Sequence, residues 1–229
     1  MKKLLALLMV GMPLIALAAD FQSTLVVQTG ELRESDLIVR NITDLGSHKT
    51  CLAFYIRTTG TSPVMTCYDA KSGFGAALTQ MGHLKVGELI IRKLEDLKNG
   101  VACLVAYVST PGTSPSIDCY PGTQQPAKDS ISETEHLHEG DLDVRRISDP
   151  AGMRTCLVAY VNTKGTSPSV LCYPSQPGAQ GGSLRQVSYL REGDLVVRKV
   201  FDSADKKACM VTYVSTEGTS SHLFCYDEQ

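Results

Sequence analysis

The chain has no tryptophan, and aromatic residues make up only 6% of it. Proteins that grip a planar ligand or a sugar face draw on exposed rings, so this scarcity weighs against dedicated glycan recognition. Basic clusters are also missing. The 22 lysines and arginines stand against 24 acidic residues, a net charge of −2. That balance argues against nucleic acid and against an anionic membrane surface. After the first 20 residues no apolar run is long enough to span a bilayer. No hydrophobic period of 3.6 is sustained, so little helix is expected. There is no G-x-S-x-G elbow for a serine nucleophile and no short C-x₂₋₄-C knuckle for zinc.

What is present begins with a leader-like N-terminus. Lys2 and Lys3 precede an apolar run from Leu4 to Leu17, and Ala16-Leu17-Ala18 offers a small-residue cleavage site. The reading is a secretory signal peptide over 1–18, cut after Ala18. Its removal takes away two lysines and leaves 20 basic against 24 acidic residues, or −4. All eight cysteines lie beyond it, which fits an oxidising compartment, periplasmic or secreted.

The cysteines form a pattern. They fall at 51 and 67, 103 and 119, 156 and 172, 209 and 225, always 16 apart, with steps of 52, 53 and 53 between copies. An arginine stands 11 residues before each first cysteine: Arg40, Arg92, Arg145 and Arg198. An aspartate follows each arginine by four: Asp44, Asp96, Asp149 and Asp202. A tyrosine follows each first cysteine by four, and another follows each second cysteine directly. A period near 50 marks a repeat architecture. The units are drawn at 19–73, 74–126, 127–179 and 180–229.

Within a unit the alternation reads as strands. "DLIVRNI" at 36–42 and "CLAFYI" at 51–56 recur in every copy, and a short strand ends each unit, "VMTCY" at 64–68 in the first. A weaker strand precedes the arginine strand, at 78–84, 130–137 and 183–190, with "STLVVQ" at 23–28 in that role in the first unit. The segments 121–129 and 174–182 read as loops. The fold class is therefore all-β: four tandem disulfide-stapled repeats of about 53 residues, each a short antiparallel meander. Strands apolar on both faces need neighbours on both sides. Closure as a four-bladed propeller-like ring or pairing into β-sandwich units would each supply them. Disulfides are expected within repeats, Cys51–Cys67, Cys103–Cys119, Cys156–Cys172 and Cys209–Cys225, because local closure outcompetes distant closure.

Several residues invite a functional reading. The four arginines are read as structural partners of the aspartates at R+4, which begin the following turns. The turn acids Asp36, Glu88, Asp141 and Asp194 would form a ring only if the units closed around an axis. His136 and His138 share a strand face and could begin a Zn²⁺ or Cu²⁺ site, but the spacing names no third ligand beyond Glu133 or Glu135. The serines of the "GTSP" tips lack a recurring base and read as turn caps. Asn41-Ile42-Thr43 matches a glycosylation sequon but falls inside a strand. The residue before each tip glycine varies, Thr59, Pro111, Lys164 and Glu217, as displayed binding loops do. No catalytic residue, metal or cofactor is assigned. The expectation is an exported, non-enzymatic binding or structural protein of a bacterial envelope, with a protein or glycan partner. An inhibitor presenting a hairpin tip and a hydrolase using the turn acids are the alternatives.

Overall fold

The computed structural model describes residues 26–71, 77–122, 131–177 and 182–228. The expected signal peptide and the central parts of the expected inter-unit loops lie outside the described residues. Those residues form sixteen strands and no helix. Sheet 1 comprises β1 (Val26–Glu34), β2 (Leu37–Asp44), β3 (Lys49–Ile56) and β4 (Val64–Asp69). Sheet 2 comprises β5 (Leu78–Val86), β6 (Leu89–Asp96), β7 (Val101–Val108) and β8 (Ser116–Pro121). Sheet 3 comprises β9 (Ser132–Glu139), β10 (Leu142–Asp149), β11 (Arg154–Val161) and β12 (Ser169–Pro174). Sheet 4 comprises β13 (Leu184–Glu192), β14 (Leu195–Asp202), β15 (Lys207–Val214) and β16 (His222–Asp227). Each is an antiparallel meander in chain order.

The pairing repeats residue for residue. In every sheet the two cysteines face each other across the last two strands, and all four disulfides form within repeats. Each staple closes a chain separation of 16 residues. Loops of this size gain about 3 kcal/mol in the chain-entropy account of cross-linking. The tip glycines Gly60, Gly112, Gly165 and Gly218 all have positive φ, between 75° and 85°, so the four tips share one turn conformation whatever precedes the glycine. One extra residue bulges from the first strand of every sheet, at Thr29, Met81, Thr134 and Val187. In sheet 1 the described part of that strand begins at Val26, and residues 23–25 of the expected 23–28 segment lie outside the described residues. The turn at Ser35 and Asp36 sets the register, pairing Glu34 with Leu37.

The sheets stack face to face. We call the side bearing Leu37, Val39, Leu52, Phe54 and Ile56 the front, and the side bearing Ile38, Arg40, Cys51, Ala53 and Tyr55 the back. The front of each sheet packs on the back of the next, giving three apolar clusters for four sheets. The first joins Leu37, Val39, Phe54 and Ile56 to Ile90, Leu94, Val105 and Tyr107. The second joins Leu89, Ile91 and Leu104 to Ile147, Cys156 and Val158. The third joins Leu142, Val144 and Leu157 to Val196, Val200 and Val211. Packing runs from sheet 1 to 2, 2 to 3 and 3 to 4, and among the described residues the ring that the period permits is not closed. The assembly is an open stack.

Candidate functional site

The polar residues singled out by the repeats form the seams between sheets. The arginines do not pair with the aspartates at R+4, which corrects that expectation. Arg92 donates to the Tyr107 hydroxyl at 2.9 Å and to Gln80, and Arg198 donates to Tyr213 at 2.9 Å and to Gln186 at 2.6 Å. Arg40 makes the same contacts with Tyr55 and Gln28, and Arg145 takes Glu133 in place of the glutamine. Alternation explains this. Arginine and tyrosine share the back face on neighbouring strands, in reach of each other, while R+4 lies at the far end of the strand.

From this back-face pair a bond crosses to the preceding sheet. Tyr107 donates to Asp36 at 2.9 Å, and Tyr213 donates to Asp141 at 2.5 Å, with Arg198 3.4 Å from the same carboxylate. Two of the four turn acids thus bridge sheets, and no acid ring forms. Burial and the Asp36 carboxylate push Tyr107 up to about 12 against the opposing effect of Arg92. Burial and Asp141 push Tyr213 up to about 12 against Arg198.

The aspartates at R+4 begin their turns as expected. Asp96 accepts from the Lys98 and Asn99 amides, and Asp202 from those of Ala204 and Asp205. Each of these aspartates also receives the front-face tyrosine of the sheet before it: Tyr68 to Asp96 at 2.7 Å, Tyr120 to Asp149 at 2.8 Å and Tyr173 to Asp202 at 2.7 Å. Burial, followed by the facing carboxylate, raises all three phenols. A front-face cation joins them in two seams. Lys93 reaches Asp149 at 2.8 Å and Glu95 at 2.9 Å. Arg146 reaches Asp202 at 2.8 Å and Asp205 at 2.6 Å. Burial works against the Arg146 charge, but the two carboxylates outweigh it and raise its pKa. At the same position in sheet 1 stands Asn41, fully buried with its amide unpartnered, which rules it out as a glycan acceptor.

The tips interlock as well. The Ser62 amide donates to the Ser114 hydroxyl at 3.0 Å, the Ser114 amide to the Ser167 hydroxyl at 2.7 Å, and Ser167 pairs with Ser220. The threonine beside each serine caps its own turn, as Thr113 does on Val108 and Thr110. These serines are parts of the stack. The variable tip residues Thr59, Pro111, Lys164 and Glu217 are exposed, but the carbonyls of Thr59 and Lys164 accept from Gly112 and Gly218 of the following tips. The tips are a joined ridge, not independent loops.

Among the described residues, two faces lack a neighbour. The front of sheet 4 carries Leu190, Leu195, Val197, Met210, Val214, Phe224 and Tyr226, and Phe224 is 65% exposed. The back of sheet 1 carries Arg40 at 44% side-chain exposure, Tyr55, the half-exposed first disulfide and Met65 at 59%. These faces hold the two halves of a seam, not joined to another sheet, although Lys199 pairs with Glu228 at 2.8 Å. On sheet 4, Tyr226 and Lys199 occupy the positions of Tyr173 and Arg146, and Asp194 that of Asp141. On sheet 1, Asp44 occupies the position of Asp202, and Arg40 with Tyr55 that of Arg198 with Tyr213.

One further cluster departs from the repeat. His136 and His138 share the back face of β9, and the strand register sets His138 opposite Asp143. His136 Nε2 lies 2.6 Å and His138 Nδ1 2.9 Å from Asp143 Oδ1. Glu133 and Glu135, the third ligands considered from sequence, are elsewhere engaged: Glu133 binds Arg145, and Glu135 accepts from the Leu184 amide. The signal that finds Asp143 is the alignment of units, where Ile38, Ile90 and Val196 hold its place. Burial would raise the Asp143 pKa, but the two histidine hydrogen bonds outweigh it and lower it.

No protein-family model matches the chain, and no curated protein matches it in sequence.

Proposed function

We propose that the chain is an exported, non-enzymatic structural and binding protein, and that its partner is a second copy of itself. The front of sheet 4 docks on the back of sheet 1 of the next molecule. The observation that carries this reading is the pair of uncovered end faces, which hold the two unjoined halves of a seam made three times inside the chain. Docking would cover Phe224 and Met65, bring Tyr226 and Lys199 to Asp44, and bring Asp194 to Arg40 and Tyr55. Such a contact is heterologous, so it builds filaments, or rings where the rotation closes. Four disulfides suit an oxidising exterior, and cleavage after Ala18 would deliver the chain there. Two of the acids that a hydrolase would use, Asp36 and Asp141, are occupied by seam tyrosines, which favours a structural role.

Sedimentation velocity over a concentration series of the mature chain tests the reading. The average mass should rise with concentration, and Phe224→Asp should hold the chain at monomer mass. A wild-type chain that stays monomeric throughout would overturn it.

A further inference from the structure

We propose that His136, His138 and Asp143 form a binding site for one divalent transition-metal ion, zinc or copper. The three ligand atoms lie within 4.8 Å of one another. Two imidazole nitrogens and a carboxylate oxygen are a donor set that suits both ions, and a fourth position stays open for water.

The site stands where repeat 3 departs from the other three at two facing positions of one hairpin, His138 and Asp143, while repeat 2 shares the third histidine as His83. Glu31, His83 and Tyr189 occupy the position of His136 in repeats 1, 2 and 4. Arg33, Lys85 and Arg191 occupy that of His138, and Ile38, Ile90 and Val196 that of Asp143. Packing alone asks for an aliphatic residue at the last position, since Ile38, Ile90 and Val196 are all buried there. A carboxylate in such a place is costly unless something charged or polar answers it. A cation also stands opposite this position in every other repeat, and in repeat 3 alone it is replaced by histidine. The changes together remove a fixed positive charge and set two imidazoles around one carboxylate, a donor set that a metal ion can use.

The scaffold is prepared for it. His138 and Asp143 are directly opposite across the tight turn at Gly140, and His136 is one pleat further along β9 on the same face. Arg145, the nearest fixed cation on that face, is held by Glu133 at 2.8 Å. Asp143 also borders a groove of about 220 Å³, with Glu88, Arg145, Tyr160 and Asn162 on its walls.

The test is calorimetric titration of the chelator-treated, disulfide-intact mature chain with zinc chloride and, separately, copper sulfate. One ion per chain is expected. Asp143→Val and His138→Arg restore residues found at these positions in other repeats, so both should fold, which an unchanged disulfide map and melting temperature would verify. Each should weaken binding at least about tenfold. Copper-loaded wild type should show electron paramagnetic resonance coupling to two imidazole nitrogens, reduced to one in His138→Arg. Absence of binding, or binding unchanged in both variants, would overturn the proposal. That second result would place any bound ion on side chains other than His138 and Asp143.

Discussion

Sheets 2 and 4 are built from one pattern and meet different surroundings. In sheet 2, all eight residues of β6 are buried, because sheets lie on both its faces. In sheet 4, β14 alternates between buried and partly exposed positions, because only its back is covered. Yet the front of sheet 4 is no more polar than the fronts inside the stack. A terminal unit meant to end in water would carry a polar outer face, as the capping repeats of solenoids do. Contiguous apolar surface left bare on a folded protein marks an interaction site. The difference between the two sheets is thus one of neighbours, as it would be if the end faces are the proposed junctions.

The sharpest way to break this comparison is to place the same charge at equivalent valines. Val144 is fully buried in the seam between sheets 3 and 4, whereas Val197 holds the same position on the open front of sheet 4. Val144→Asp buries an unpaired carboxylate and should cost more than about 4 kcal/mol. Val197→Asp should leave the melting temperature of the dilute monomer nearly unchanged. Equal losses in thermal denaturation would remove the distinction between seam and end.

Asp202→Ala comes next. It strips Tyr173 of its acceptor in the buried seam and leaves Arg146 with Asp205 as its only carboxylate partner. Removing one partner of a buried ion pair costs about 3–5 kcal/mol, readable by chemical denaturation. Asp44→Ala, its counterpart at the open end, should lose far less, since Asp44 caps only its own turn through Gly46 and Ser47.

The disulfides should separate by position. Cys67 is exposed on the open back of sheet 1, while Cys103, Cys156 and Cys209 are buried under the preceding sheets. Under limiting reductant, alkylation and mass spectrometry should find Cys51 and Cys67 labelled first. Random order would contradict the exposure argument.

The smallest expected effect is on alkaline stability. Tyr107 and Tyr213 have folded-state pKa values raised to about 12 from an ordinary value of 10.0. A group raised on folding contributes stability that is fully present below its unfolded pKa and lost as pH climbs through the folded one. Stability should therefore fall from about pH 10 towards pH 12. Tyr107→Phe should flatten that fall while lowering stability at neutral pH.

Much of this was legible in the sequence because the chain states it four times. The period set the units, the constant spacing of 16 set the disulfides, and alternation put Cys51 and Tyr55 on one face with Leu52 and Phe54 on the other. Other features depend on contacts that no local pattern encodes. The arginines could be matched to tyrosine and glutamine only once three strands were laid side by side. Open and closed stacks use the same residues, so nothing in "DLVVRKV" at 194–200 says whether its front is covered. Asp143 was within reach of alignment alone, but its meaning required the register that sets it against His138.

The most direct test of the end-face account is a charge-swap mixture. Asp194→Arg would place an arginine against Arg40 of a neighbour, and Arg40→Asp would place an aspartate against Asp194, so each variant alone should stay monomeric. Mixed in equal amounts they present matched ends, and light scattering should show association restored towards the wild-type level. A mixture no more associated than either variant alone would contradict the head-to-tail account.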